Sequence, residues 1–199
     1  MTLPPDIHPD SGSRLPLVRR EDLDARGREE FDALTKRGGA SLAGLRGPGG
    51  LNLHDPRAAV FLNGLSRYLR FESGIDARLR EVAILITARE HDQAFEWAMH
   101  EATALKEGVP AATIEAIRHC TATDGLDERD AVVVEFGRQL FARHEVEATL
   151  YAKAKALLGE RVLVSLVMLM GNYAFVSAML TAFAAQLPAG QASALPPKK

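Results

Sequence analysis

Between Gly74 and Gly108 the chain reads GIDARLREVAILITAREHDQAFEWAMHEATALKEG, and this stretch restricts the fold more than any other. Asp76 stands where an N-cap belongs, ahead of Leu79, Val82, Ala83, Leu85 and Ile86, which predicts a helix over about 76–90. A second helix is expected over about 93–106, stopped by Gly108, with Pro110 opening the next. Only His91 and Asp92 separate the two, so they fold back as antiparallel neighbours. Both arms of such a hairpin rise about 1.5 Å per residue, so positions equidistant from the turn lie opposite each other. Glu81 precedes His91 by ten residues and His100 follows it by nine. Glu96 shares a face with His100, one turn away. Two carboxylates and an imidazole are therefore expected to converge inside an apolar hairpin. Such a group exchanges protons near neutral pH when burial lifts a carboxyl pKa.

The 199 residues suffice for one domain with tails, and a net charge of −2 gives no basic stripe for nucleic acid. A single cysteine, Cys120, excludes an internal disulfide framework and any C-x-x-C motif, and fits a reducing cytoplasm. The N-terminal residues lack the apolar core of a signal peptide. Residues 162–185 carry no charge and exceed the length of a membrane span. They are read instead as a helix buried in a core or subunit interface, because the rest of the chain is charged and amphipathic.

Residues 1–20 hold four of the ten prolines and are expected to form a poorly ordered arm. Helical character begins at Glu21–Lys36. Residues 37–56 are glycine-rich and aperiodic, which predicts a long loop of undefined role; no strand or G-K-[ST] makes it a phosphate cradle. Asp55 and Pro56 open a helix to about Arg70, with Val60, Phe61, Leu65, Tyr68 and Leu69 turned inward. A short helix follows over 110–119, then one from Asp127 to about Arg143. Further helices are expected over 146–158 and over 159–186, the last bent near Gly171. No period-2 strand is found. The expected fold is all-α, a bundle of about six to eight helices around the hairpin, spanning residues 21–188 with a flexible tail at 189–199.

Several motifs together resemble the carboxymuconolactone decarboxylase family: R-L-R-E at Arg78–Glu81, E-W-x-x-H at Glu96–His100, and A-x-x-x-G-V at Ala104–Val109. A looser L-x-H-x-P pattern at Leu51–Pro56 and Y-L-R-F-E at Tyr68–Glu72 extend the similarity over about residues 26–188. The resemblance implies an alkylhydroperoxidase-like helical subunit that assembles into homotrimers or homohexamers. Peroxidases of that superfamily carry C-x-x-C-x-x-x-H with a preceding glutamate. Aligned on His100, the cysteine positions fall on Gln93 and Glu96 and the glutamate on Glu81. The thiols are lost and the proton-transfer half remains, which favours the decarboxylase-like branch.

The catalytic candidates are thus Glu81, Glu96 and His100, with a small carboxylated lactone or related acid as substrate and no cofactor. Against them stand a core histidine bonded to a carbonyl and a local Glu81–Arg78 ion pair. Trp97 is either core or a wall of the pocket, His54 and Tyr173 reach it only if the fold brings them there, and Arg80 or Arg70 is needed for a substrate carboxylate. Metal ligation by Glu81, Glu96 and His100 is the weaker reading, since H-E-x-x-H is absent. The alternatives are hydroperoxide reduction through Cys120, or a non-catalytic oligomer that binds a small molecule.

Overall fold

The computed structural model describes residues 3–36, 41–188 and 190–197. Nine α-helices lie within them: α1 Ala25–Thr35, α2 Pro48–Asn52, α3 Pro56–Phe71, α4 Ala77–Glu90, α5 Ala94–Lys106, α6 Ala111–Arg118, α7 Glu128–Arg138, α8 Ala148–Leu158 and α9 Glu160–Ala182. A π-helical turn, Gln139–Arg143, extends α7. Strands are absent from the described residues, where a lone His8–Ser13 bridge is the nearest approach to one. The chain divides by its contacts into two compact units, Met1–Tyr68 with Ala178–Gln191 and Leu69–Ser177 with Ala192–Lys199.

The second unit is built around α4. Every residue from Leu79 to Arg89 is buried, so this helix has no solvent face. It packs against α5, α6 and α7. α7 comes close to it at Gly137, where an added Cβ would lie 2.8 Å from Ile86 Cγ2. Leu163, Leu166, Leu169, Met170 and Tyr173 of α9 complete this core. The hairpin turn forms as its residues dictate. Asp76 caps α4 by accepting from the Leu79 N–H, and the Gln93 side chain caps α5 by accepting from Phe95. Between them Asp92 adopts a left-handed backbone with φ 50°, a conformation Asp tolerates better than most residues. Arg89, also buried, donates to the Pro196 carbonyl at 2.7 Å and pairs with Asp92. That bond ties part of the expected flexible tail to the unit; residues 189, 198 and 199 lie outside the described set.

In the first unit, Leu23, Leu53 and Ala59 form a small core with Val18, Phe31, Leu34 and Leu45 against it. Residues 3–20, where the sequence suggests a loose arm, carry the His8–Ser13 bridge and bury Ile7, Ser11 and Ser13. Arg46 fixes them by donating to the Ser11 and Pro9 carbonyls at 3.2 Å. The loop expected over 37–56 contains a 3-10 turn, Gly44–Arg46, and α2. Five residues are too few to show a helical period, which hides α2 from a pattern reading. Residues 37–40 of that loop lie outside the described set.

The inward face expected for α3 is corrected by the structure. Phe61, Leu65 and Tyr68 are exposed, Phe61 at 75%, while Ala59 and Leu69 are buried. α9 shows a similar exposed stripe of Val164, Met168 and Phe175. It is the one helix among the described residues long and apolar enough to cross a membrane, and half of its apolar window is buried within the chain.

Candidate functional site

Glu81 projects from α4 and His100 from α5, and the hairpin register sets them side by side. His100 Nδ1 lies 2.7 Å from Glu81 Oε2, with both side chains buried. A carboxylate bonded there requires Nδ1 to carry hydrogen, which leaves Nε2 of the neutral ring with a lone pair. Nε2 faces two groups. The Tyr173 hydroxyl, from α9, donates to it over 3.2 Å, and Glu96 Oε2 stands 3.5 Å away. Tyr173 also meets the imidazole edge-on, with ring centroids 5.3 Å apart.

The two carboxyls are driven in opposite directions. Burial would raise Glu81, but hydrogen bonds and charge from His100 and Arg80 outweigh it and hold Glu81 below the usual carboxyl range. Burial dominates at Glu96 and pushes it up, against the opposing influence of His100 and Arg70. The Tyr173 phenol is likewise raised by burial. The ionised form is thus favoured at Glu81 and the protonated form at Glu96, on either side of one imidazole, an arrangement that separates base and acid roles.

Arg80 belongs to this group in a different capacity from the one expected. Its Nε donates to Glu81 Oε1 at 2.9 Å and its Nη1 to the Arg70 carbonyl at 2.8 Å. With Glu107 also 3.8 Å away, its guanidinium is committed to the protein and supports Glu81 instead of awaiting a substrate. The local Arg78–Glu81 pair is not formed. Arg78 turns to Asp130 at 2.5 Å and Asp127 at 3.2 Å.

Trp97 is a core residue. It is fully buried, its indole N–H donates to Glu101 at 3.1 Å, and Arg118 lies over its ring. His54 belongs to the first unit, where it is exposed and its Nε2 is 3.1 Å from the Pro16 carbonyl. Trp97 thus packs as core, and His54 lines a cavity of the first unit with Pro16, Arg46 and Leu51. Gln93, at one of the vanished cysteine positions, caps α5 and bonds the Ser177 carbonyl at 3.2 Å. Cys120 is exposed beyond α6 with a left-handed backbone, and no hydrogen bond of the cluster involves it.

What sequence spacing left open was Tyr173, 73 residues from His100, whose partnership depends on how α9 packs. The cluster is also more enclosed than a ready-made pocket. Glu81 is 0% exposed, His100 3%, and Glu96 and Tyr173 4% each. Both Glu81 oxygens are engaged by nitrogen donors, and among the described residues no group of three or more His, Cys, Asp or Glu is arranged to hold a metal.

Comparison with known proteins adds two findings. Residues 56–134 match the carboxymuconolactone decarboxylase family, a segment that contains Glu81, Glu96 and His100. No curated protein matches the chain. Among solved structures, the fold is similar to an alkylhydroperoxidase AhpD core, an uncharacterized peroxidase-related protein from Ralstonia eutropha. That match has TM-score 0.70 and 14% identity, and covers 92% of this chain and 94% of the other. It is also similar to a cysteine-to-alanine variant of the debrominase Bmp8 in complex with 2,3,4-tribromopyrrole, with TM-score 0.67, 14% identity, and 87% and 90% covered. At that identity the likeness establishes the alkylhydroperoxidase-like fold.

Proposed function

With residues 56–134 assigned to the carboxymuconolactone decarboxylase family, we propose that the chain is a cofactor-independent carbon–carbon lyase. It acts on a small carboxylated lactone or a related unsaturated acid. The observation that carries this reading is the 2.7 Å Glu81–His100 contact, with Tyr173 and Glu96 at the other imidazole nitrogen.

The substrate carboxylate leaves as carbon dioxide, and the electrons of the broken bond pass into the adjacent unsaturated carbonyl. Charge then grows on the carbonyl oxygen, where the Tyr173 hydroxyl stabilises it together with the His100 Nε2–H that forms as Glu96 passes its proton to the ring. A carbon must next accept a proton. Glu96, whose protonated form burial favours, supplies it through His100 Nε2, and solvent restores it afterwards. Glu81 holds the imidazole in one tautomer and balances its charge, and Arg80 keeps Glu81 ionised. Because the four groups are enclosed, substrate entry requires side chains at the rim to move aside. The experiment is turnover of 4-carboxymuconolactone and related acids by the wild type, His100→Ala and Glu81→Gln. Unchanged rates in both variants remove the mechanism.

A thiol-dependent peroxidase reading is favoured by the peroxidase-related neighbour. It requires Cys120, so hydroperoxide consumption that survives Cys120→Ser excludes it. The enclosed cluster favours a third, non-catalytic reading, in which no candidate acid turns over. We further propose that the exposed stripe of α9, with Phe61, Leu65 and Tyr68 of α3, is covered by further copies of the chain in a homotrimer or homohexamer. A cytoplasmic location is proposed from the single cysteine.

A further inference from the structure

Two polar rungs cross between α5 and α9 within the second unit. One is the 3.2 Å bond from the Tyr173 hydroxyl to His100 Nε2. The other starts at the Gln93 side-chain amide, whose Nε2 donates to the Ser177 carbonyl, also at 3.2 Å. Their spacings match. Gln93 stands about two turns before His100, and Tyr173 about one turn before Ser177, so each pair shares a face of its helix.

Gln93 is the fixed end of its rung. Its backbone N–H donates to the Ala88 carbonyl at 2.8 Å, and its own carbonyl accepts from Trp97 at 3.1 Å. Its Oε1 accepts from the Phe95 N–H at 3.1 Å, so the side chain is anchored to the hairpin turn while its Nε2 end crosses to α9. At the far end, the Ser177 hydroxyl donates to the Tyr173 carbonyl at 2.8 Å. The carbonyl that Gln93 grips and the phenol that reaches His100 therefore lie on one turn of helix. Gln93 and Ser177 are both buried, where a hydrogen bond is electrostatically stronger than in water.

Leu166, Leu169 and Met170 hold α9 against the core, but hydrophobic contact is non-directional. A directional bond adds a fixed position along the helix axis. The Tyr173 bond depends on that position, because lengthening it by about 0.4 Å takes it out of hydrogen-bond range.

We propose that Gln93 is a positioning residue: its amide sets the register of α9 against α5 and so keeps the Tyr173 hydroxyl on His100 Nε2. The effect on turnover rests on reading the cluster as a decarboxylation site; the effect on the Tyr173–His100 bond does not.

The test is nitrogen NMR of protein labelled at histidine, with the His100 signals identified by their loss in His100→Ala, alongside turnover of 4-carboxymuconolactone. Gln93→Ser keeps a capping oxygen for α5 but is too short to reach Ser177, and Gln93→Met keeps the length without the amide. What the two variants share is the lost donor to Ser177. In both, the Nε2 resonance is expected to move to its position in Tyr173→Phe, while the Nδ1–H resonance held by Glu81 stays in place. The value of kcat should fall about tenfold, as in Tyr173→Phe, with KM changed by less than about twofold. Adding Tyr173→Phe to Gln93→Ser should cost little more, because both remove the same bond. If one variant does not fold, the other carries the test. An Nε2 resonance unmoved in a folded variant overturns the proposal. So does an Nδ1–H resonance that moves with it, which marks general loosening of the hairpin, and so do losses that multiply in the double variant. Failure of the decarboxylation reading appears separately, as turnover unaffected by His100→Ala while Nε2 still responds to Gln93→Ser.

Discussion

His100 and Glu81, 19 residues apart on opposite arms of a hairpin, meet at 2.7 Å because the turn between them is too short to allow another register. The contact fixes which imidazole nitrogen carries hydrogen, and so which one faces the other two polar groups of the site.

Replacing Glu81 with Gln keeps the shape and removes the negative charge. Steady-state kinetics should show a fall in kcat of roughly 10²–10⁴-fold, the usual range for a positioned acid–base group. Glu81→Ala should also lower stability by about 3–5 kcal/mol in urea unfolding, because the nearly buried Arg80 loses its hydrogen-bonded carboxylate and keeps only the longer contact to Glu107. Wild-type rates in the Gln variant would show that the tautomer does not matter to turnover.

The Tyr173 hydroxyl is predicted to act in the reaction more than in folding. Tyr173→Phe removes one hydrogen bond to Nε2 and leaves the ring packed. Turnover should drop about tenfold, while stability changes by about 1 kcal/mol or less. A large loss of melting temperature with full activity would reverse this assignment.

Glu96 leaves a signature in the pH dependence of stability. Its folded pKa lies above the ordinary 4.5, so the folded chain holds this proton more tightly than the unfolded chain does. Stability contributed by the protonated acid is fully present below 4.5 and is lost as pH rises through the elevated folded value. Calorimetry of wild type and Glu96→Gln across this range isolates the effect. The melting temperature of the variant relative to wild type should climb as pH increases from 4.5 upward. A difference that stays flat would mean that Glu96 titrates alike in both states.

Gly137→Ala would push a methyl group into Ile86, whose Cγ2 is 2.8 Å from the position of the new Cβ. Overpacking of this kind costs about 1–3 kcal/mol, and Ile86→Ala, which removes both Cγ atoms that the new methyl would meet, should cost less in the Gly137→Ala chain than in the wild type. Independent, additive losses in the double variant would disprove the close approach.

Self-association is expected to give a solution mass at a multiple of 21.6 kDa by light scattering. Met168→Glu, in the exposed stripe of α9, should shift that mass downward. A monomeric wild type would remove the proposal.

The hairpin was legible because its information is local. Asp76, the short turn and Gly108 set its ends, and equal counting from the turn placed Glu81 opposite His100. α3 was not legible in the same way. Phe61, Leu65 and Tyr68 share a helical face, but periodicity cannot say whether that face meets the subunit's own core or remains exposed. Arg80 and Arg78 are two residues apart on one buried helix, and only packing decided that Arg80 serves Glu81 while Arg78 serves Asp130. Tyr173 lay beyond the reach of local spacing, since it arrives from a different helix.

Arg89 gives the end of the chain a structural duty. The Pro196 carbonyl is one of the few acceptors available to this enclosed cation, at the opposite pole of α4 from its Asp76 cap. Proteolytic trimming of residues 192–197 would therefore loosen the helix from its turn end.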